Sequence, residues 1–195
     1  MTRLIAVYGS PRRNGNTAAL LKSAIEGAKA EGASVDEIVL RDLELSPCLE
    51  IYGCRKNGNC VIADDFNSIR DKVLEAQGMM LASPIFFYTV SAHTKIFMDR
   101  FQSLWVRKHW VENASTGRRP VRRKGLFIAA GATQGRKLFD GALLTVRYFF
   151  DVLDMDLSDQ VLIHGLDRAG EVLKHPEYIE AARKAGATLA AALNT

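Results

Sequence analysis

Apolar and polar positions along this chain follow two different periods. Short runs with hardly a polar side chain, at residues 4–8, 78–84 and 126–130, are separated by longer segments in which apolar residues recur every three or four positions. The short runs read as strands buried on both faces, the longer ones as amphipathic helices. In order, the pattern predicts a first strand at 4–8, then a helix carried by Leu21, Ala24, Ile25 and Ala28 and stopped at Gly32. A second strand follows at 35–40, a long connection, and a helix over about 66–76. The third strand, 78–84, is expected to end at Pro84. Phe97, Phe101, Leu104 and Trp105 make one helical stripe, broken off in the basic stretch from Arg107 to Lys124. Strand four at 126–130 leads to a helix carried by Phe139, Leu143, Val146, Phe150 and Leu153. Strand five at 160–164 precedes a last helix that begins at Pro176, a position proline tolerates.

Strands alternating with helices imply parallel pairing, with the crossover helices covering both faces of the sheet. Five strands and five helices fit a flavodoxin-like three-layer α/β sandwich with strand order 2-1-3-4-5. At 195 residues, one hydrophobic core is enough, so a single domain over 1–195 is expected.

Composition narrows the class without changing the fold. With 48% hydrophobic and 25% charged residues the chain is neither disordered nor fibrous. Its first apolar run is too short for a signal-peptide core, and no later run reaches bilayer length, which leads us to expect a cytoplasmic protein with no membrane partner. The net charge of +4 gathers in RKHW at 107–110 and RRPVRRK at 118–124. No RNA-binding aromatic motif or DNA-reading helix accompanies these basic stretches, so no nucleic acid is expected, and the excess positive charge suits a phosphate-bearing ligand or solvent. Three cysteines are too few and too odd in number for a disulfide scaffold.

In such folds ligands bind beyond the carboxyl ends of the strands, beside strand one. The loop after strand one is GSPRRNGNT, residues 9–17. Its hydroxyls, its amides and the positive end of the following helix suit a phosphate dianion, and Arg12 or Arg13 adds charge. Neither GxGxxG nor GxxxxGK[ST] occurs, so the dinucleotide fingerprint and the P-loop are both absent. The loop after strand three, SPIFFYTVSAHTKIFMDR at 83–100, brings three aromatics to the same edge, where they flank a flat heterocycle or form core. His93, in the first turn of the next helix, reads as a surface residue. The loop after strand four, AAGATQGR at 129–136, is a glycine-bearing turn of the kind many α/β proteins share.

Together the 9–17 loop, the 83–100 stretch and the cysteine segment before VIADDF resemble the NADPH-dependent FMN reductase family of flavodoxin-like proteins, in its iron-sulfur flavoprotein-like and multimeric-flavodoxin branch. The resemblance spans nearly the full chain. It implies that Ser10, Arg12, Asn14, Asn16 and Thr17 hold the FMN phosphate. It further implies that Pro84, Ile85, Phe86, Phe87 and Tyr88 line the isoalloxazine ring, and that Gly131, Ala132 and Thr133 close the third side. Members commonly carry tyrosine where this chain has Phe86. The implied activity is that of a flavin-dependent oxidoreductase: NAD(P)H reduces FMN, and FMN passes electrons to a small-molecule acceptor such as a quinone, azo or nitro compound, or free flavin. No catalytic triad is sought, because the cofactor carries the chemistry.

The same resemblance frames the segment PCLEIYGCRKNGNCV at 47–61, which holds every cysteine of the chain. Iron-sulfur flavoproteins place four cysteines in such a segment; Cys48, Cys54 and Cys60 match the first, third and fourth, and Ile51 stands at the second. Isoleucine cannot ligate iron, carboxylates such as Asp64 and Asp65 are poor substitutes, and no histidine is near enough to complete a zinc site. No metal is therefore expected, and the thiols are read as free, with Cys54 the most reactive because Arg55 and Lys56 follow it. The runner-up function is an iron-sulfur flavoprotein carrier without a substrate of its own; the basic charge opposes an ordinary carrier flavodoxin. A phosphoryl-receiver domain needs acidic residues after strand one, where SPRR stands. Trp105 and Trp110, within 103–120, suggest an exposed aromatic contact and a homo-oligomer.

Overall fold

The computed structural model describes residues 1–112 and 123–194. Its centre is a parallel sheet of five strands, β1 (Arg3–Tyr8), β2 (Ser34–Val39), β3 (Gly78–Phe86), β5 (Arg123–Gly131) and β6 (Met155–His164), in the order β2-β1-β3-β5-β6. This is the expected 2-1-3-4-5 order. A two-residue strand, β4 (Thr89–Val90), is added to it by antiparallel pairing with the end of β3.

That sixth strand corrects the reading of Pro84. β3 runs two residues past the proline, with Pro84 in register with Ala130 of β5 and Ile85 in register with Val90. Proline removes one donor and leaves its carbonyl, and here that carbonyl accepts from the Ser83 hydroxyl at 2.9 Å. β6 is also longer than expected, because it begins at Met155 and accommodates a bulge opposite Gly125 and Leu126.

Alternation along the strands divides the core in two. Leu4, Ala6, Met80, Ala82, Leu126 and Ile128 face α1 (Asn16–Ala30) and α6 (Pro176–Ala191). Ile5, Val7, Met79, Leu81, Phe127 and Ala129 face the other layer, made of α2 (Phe66–Glu75), α3 (Ala92–Arg100), α4 (Gln102–Val106) and α5 (Asp140–Val152). In that layer Phe66, Phe97, Phe101 and Phe149 meet edge to face at centroid distances of 5.0 to 5.7 Å. Each such contact contributes about 1 kcal/mol beyond the area it buries. The stripe expected to run as one helix is divided at Phe101, and beyond Val106 it continues as a wide turn over Arg107–Val111, inside the basic stretch where its end was expected.

On the α1/α6 side the helices touch backbone to backbone. A Cβ on Gly27 would lie 2.0 Å from the Arg183 carbonyl oxygen, and one on Gly186 1.9 Å from that of Ala24. The two glycines set the depth at which α1 packs, and with it the position of the loop that precedes α1. Among the described residues no helix is long and apolar enough to cross a membrane.

Candidate functional site

Three loops meet where the sequence places the ligand site. Ser10, Pro11, Arg12, Gly15, Asn16 and Thr17 come from the loop after β1, Pro84 to Phe86 from the end of β3, and Ala130 to Ala132 from the end of β5; Leu166 and Asp167 complete the wall. The cleft encloses about 540 Å³, part of it open to solvent. Its two ends differ chemically, one polar and facing α1, the other apolar and facing the β3–β4 hairpin.

The polar end is built tightly. The Gly9 N–H reaches the Ala82 carbonyl at 2.8 Å, and a Cβ on Gly9 would lie 1.9 Å from Thr94 Oγ1. Ser91 caps α3 by accepting from the Thr94 N–H at 3.2 Å and donates its own proton to the Gly9 carbonyl. Thus α3 fixes the exit of β1. Ser10 Oγ then accepts from the Arg12 N–H at 3.1 Å, and the loop enters α1 through Gly15. No side chain caps α1 and no acidic residue lies in its first turn, so its positive end is left to the cleft.

Several expected ligands are also structural ties. Asn16 donates to the Arg168 carbonyl at 3.0 Å and accepts from the Val172 N–H at 3.1 Å, while Arg12 donates to the Asp167 carbonyl at 2.9 Å. Glu171 is held below the usual carboxylate range by the N–H groups of Arg168 and Asp167, which closes this 167–172 strap into a turn. The Leu166 N–H bonds the Gly131 carbonyl at 3.1 Å, so the chain after β6 ties the loop after β1 to the end of β5. Arg13 is drawn off to Asp42 at 2.6 Å.

At the apolar end the chain reverses through Phe87 and Tyr88, whose φ values of 48° and 63° are both left-handed. With Phe86 paired to Thr89, this is a two-residue hairpin of the primed kind, normally built from asparagine and glycine. Phe87 is 99% exposed at its tip. The hairpin rests on α5, where a Cβ on Gly141 would lie 2.6 Å from the Tyr88 carbonyl oxygen.

Of the residues expected to bind cofactor, Ser10, Arg12, Asn16, Thr17, Pro84, Ile85, Phe86, Gly131 and Ala132 line the cleft; Asn14, Phe87, Tyr88 and Thr133 stand outside its wall. Asn14 is exposed, and Thr133 turns its carbonyl toward His164 Nδ1 at 3.4 Å. Sequence reasoning did not reach the strap or the clamp. The clamp had a signal, a serine just ahead of a helix, which is an N-cap signature. Asp167 had none, since the loop after β6 carries no phosphate-like pattern.

A phosphorylated flavin fits these residues: the open helix end and hydroxyls suit the phosphate, and the glycine-bearing turn at Gly131 leaves room beside Ile85 and Leu138 that a side chain would fill. A four-iron cluster does not fit the cysteine loop. Ile51, 61% exposed, stands where the resemblance places the second thiolate, and its side chain has no donor atom.

A model of the NADPH-dependent FMN reductase family matches residues 2–160. The chain belongs to that family. FMN and NADPH are in the family's own description, in agreement with the expectation from the loops. Among the chain's relatives, an iron-sulfur flavoprotein of Methanocaldococcus jannaschii is 41% identical over 102 residues, 52% of this chain and 53% of that protein. The chain thus aligns with about half the length of that protein and of the iron-sulfur flavoprotein of Methanosarcina thermophila. A Bacillus subtilis protein provisionally named an NAD(P)H-dependent FMN-containing oxidoreductase is 24% identical over 188 residues, 93% of this chain and 95% of its own. A flavone reductase structure superposes with a TM-score of 0.70 at 20% identity, covering 99% of this chain and 63% of its own, a likeness of fold.

Proposed function

We propose that the chain, as a single cytoplasmic domain, binds FMN in this cleft and passes electrons from NAD(P)H to a small planar acceptor: a quinone, an azo or nitro compound, or free flavin. The observation that carries this reading is the meeting of the three loops in one cleft, polar and cationic at the α1 end and apolar at the other. Bound FMN would supply the redox chemistry, taking up hydride and releasing electrons. The chain's own part is to bind and orient. Ser10, Thr17 and the open end of α1 would receive the phosphate, with Arg12 adding charge beside it. Asn14 lies at the edge of that pocket, and Asn16 fixes it by holding the strap. Pro84, Ile85 and Phe86 would bracket one side of the ring, Gly131, Ala132 and Thr133 another, and backbone N–H groups there would face the charge that develops on reduction. Phe87 and Tyr88, outside the wall, would flank the acceptor.

The test is the absorption spectrum of the purified protein together with an assay for acid-labile sulfide. Yellow protein without sulfide, and NAD(P)H consumption with a quinone that is lost in the Arg12→Ala, Thr17→Ala double variant, is the expected result. Colourless protein that ignores added FMN overturns the reading. The carrier alternative is favoured by the 41% identity to an iron-sulfur flavoprotein and would show brown protein containing sulfide. We also read the chain as a homo-oligomer, since Trp110 remains 46% exposed beside exposed Tyr52 and Val111; residues 113–120 of the expected contact lie outside the described residues. A monomeric mass at micromolar concentration would contradict this.

A further inference from the structure

The three cysteines lie outside the cleft, and the fold redistributes the chemistry that their order along the chain suggests. Arg55 does not serve Cys54. Its guanidinium carbon sits 4.2 Å from the Tyr52 ring centre and 4.4 Å from that of Trp110, held between two aromatic faces. Burial pushes the Cys54 thiol up, and Cys60 and Cys48 push the same way, Cys60 the more strongly, against a smaller opposing effect of Arg55. At Cys54, burial outweighs the cationic neighbours that the sequence sets beside it.

Cys60 has the cation instead. Arg100, at the end of α3, has a side chain with no exposure. Its Nη1 donates to Asp64 and to the Ser46 carbonyl at 2.9 Å, and its Nη2 donates to Cys60 Sγ at 3.3 Å and to the Ile62 carbonyl at 3.5 Å. Its Nε is buried with no hydrogen-bond partner among the described residues. A buried guanidinium donor left unpaired is costly, so this group holds one donor more than its resting acceptors. Cys60 itself is only half-buried, open to a small solute. The chain between the two sulfurs folds back on itself: the Gly58 N–H bonds the Cys54 carbonyl at 2.7 Å, with Gly58 at φ 77°.

We propose that Cys60 is a peroxide-reactive thiol, activated by Arg100 and resolved by Cys54. The Cys60 sulfur attacks one oxygen of hydrogen peroxide; an S–O bond forms, the O–O bond breaks, and hydroxide leaves and takes up a proton to become water. Sulfur is oxidised by two electrons as the peroxide is reduced. The sulfenate oxygen gives Arg100 a further acceptor. Cys54 then displaces the hydroxyl of the protonated sulfenic acid, forming the S–S bond, and the departing hydroxide takes the Cys54 thiol's proton to leave as water. A dithiol reductant of the cell reverses the cycle. None of these steps uses the flavin cleft, so this proposal stands or falls apart from the flavin reading.

The test treats reduced full-length protein with less than one equivalent of hydrogen peroxide, traps sulfenate with dimedone and locates the adduct by peptide mass spectrometry. The expected adduct is on Cys60, about tenfold above the other two cysteines, as a charge-assisted bond to the reacting sulfur implies. Without dimedone a Cys54–Cys60 disulfide should appear, and Cys54→Ser should make the sulfenate long-lived. Arg100→Lys should slow Cys60 labelling about tenfold, with far-ultraviolet circular dichroism unchanged. If that variant does not fold, the order of labelling in the wild-type protein decides alone. First labelling at Cys48 or Cys54, equal labelling of all three, or iron and acid-labile sulfide bound at these cysteines would overturn the proposal.

Discussion

Arg100 makes clear how one side chain can order a whole segment. Its guanidinium is the common partner of Ser46, Cys60, Ile62 and Asp64, four points on the irregular chain between β2 and α2. Burial alone would push the Asp64 carboxyl up, yet the bond from Arg100 and the N–H groups of Ser46 and Phe66 hold it below its ordinary value of 3.8. A carboxyl depressed on folding lends stability that is present above its ordinary value and lost as the pH falls through the folded one. Asp64→Asn would keep the shape and leave Arg100 buried without its counter-charge, at a cost of about 3 kcal/mol near neutrality. Urea unfolding should show that loss at pH 7, with a smaller difference between variant and wild type in acid below the ordinary carboxylate value, where the stability lent by the depressed carboxyl is being lost. An equal difference at both values would mean that the charge is not what Asp64 contributes. None of this was legible along the chain. The bond between Arg100 and Asp64 spans 36 positions and that to Cys60 spans 40, whereas Arg55, adjacent to Cys54 in sequence, is spent on two aromatic rings.

At the level of elements, β1, β3 and β5 were legible because each holds a run buried on both faces, and α5 and α6 because their apolar spacing is regular. The β3–β4 hairpin was not. Its turn holds Phe87 and Tyr88 in left-handed conformations that local preference assigns to asparagine and glycine, so propensity pointed away from the structure that formed. Non-glycine residues there cost on the order of 1 kcal/mol each. Such strain persists where the surroundings impose it; here Tyr88 is seated on Gly141 at the start of α5. Replacing the pair, Phe87→Asn with Tyr88→Gly, should therefore raise stability by about 1 to 2 kcal/mol, read as a higher melting temperature. The same variant should turn over quinone more slowly while binding FMN with little change, since neither side chain lines the cleft. An unchanged melting temperature would show that the turn is not strained. Gly141→Ala tests the seat from the other side: its Cβ would meet the Tyr88 carbonyl oxygen at 2.6 Å, a backbone atom that can yield only if the hairpin moves.

Across the whole molecule the cleft is held in place from three directions. α3 clamps the end of β1 through Ser91 and Thr94, the chain after β6 ties the loop after β1 to the end of β5, and α6 sets the seat of α1. The last of these is the most remote from the site and gives the most demanding test. Gly186 meets the Ala24 backbone in the middle of the α1–α6 seam, and a methyl there would lie 1.9 Å from a carbonyl oxygen. No rotamer relieves that overlap, so the helices must separate. Overpacking of this kind costs roughly 1 to 3 kcal/mol, and because the obstacle is backbone the upper end is expected for Gly186→Ala. The displaced helix is the one whose open first turn would receive the FMN phosphate. The variant should therefore lose FMN affinity by more than its affinity for riboflavin, which has no phosphate to place. Fluorescence titration of the apoprotein with both flavins separates the outcomes. A selective loss for FMN would tie a glycine at the back of the sheet to the phosphate pocket, equal losses would mean that the whole cleft opens, and an unchanged FMN affinity in a destabilised variant would show that the strap and the clamp hold α1 in position without α6.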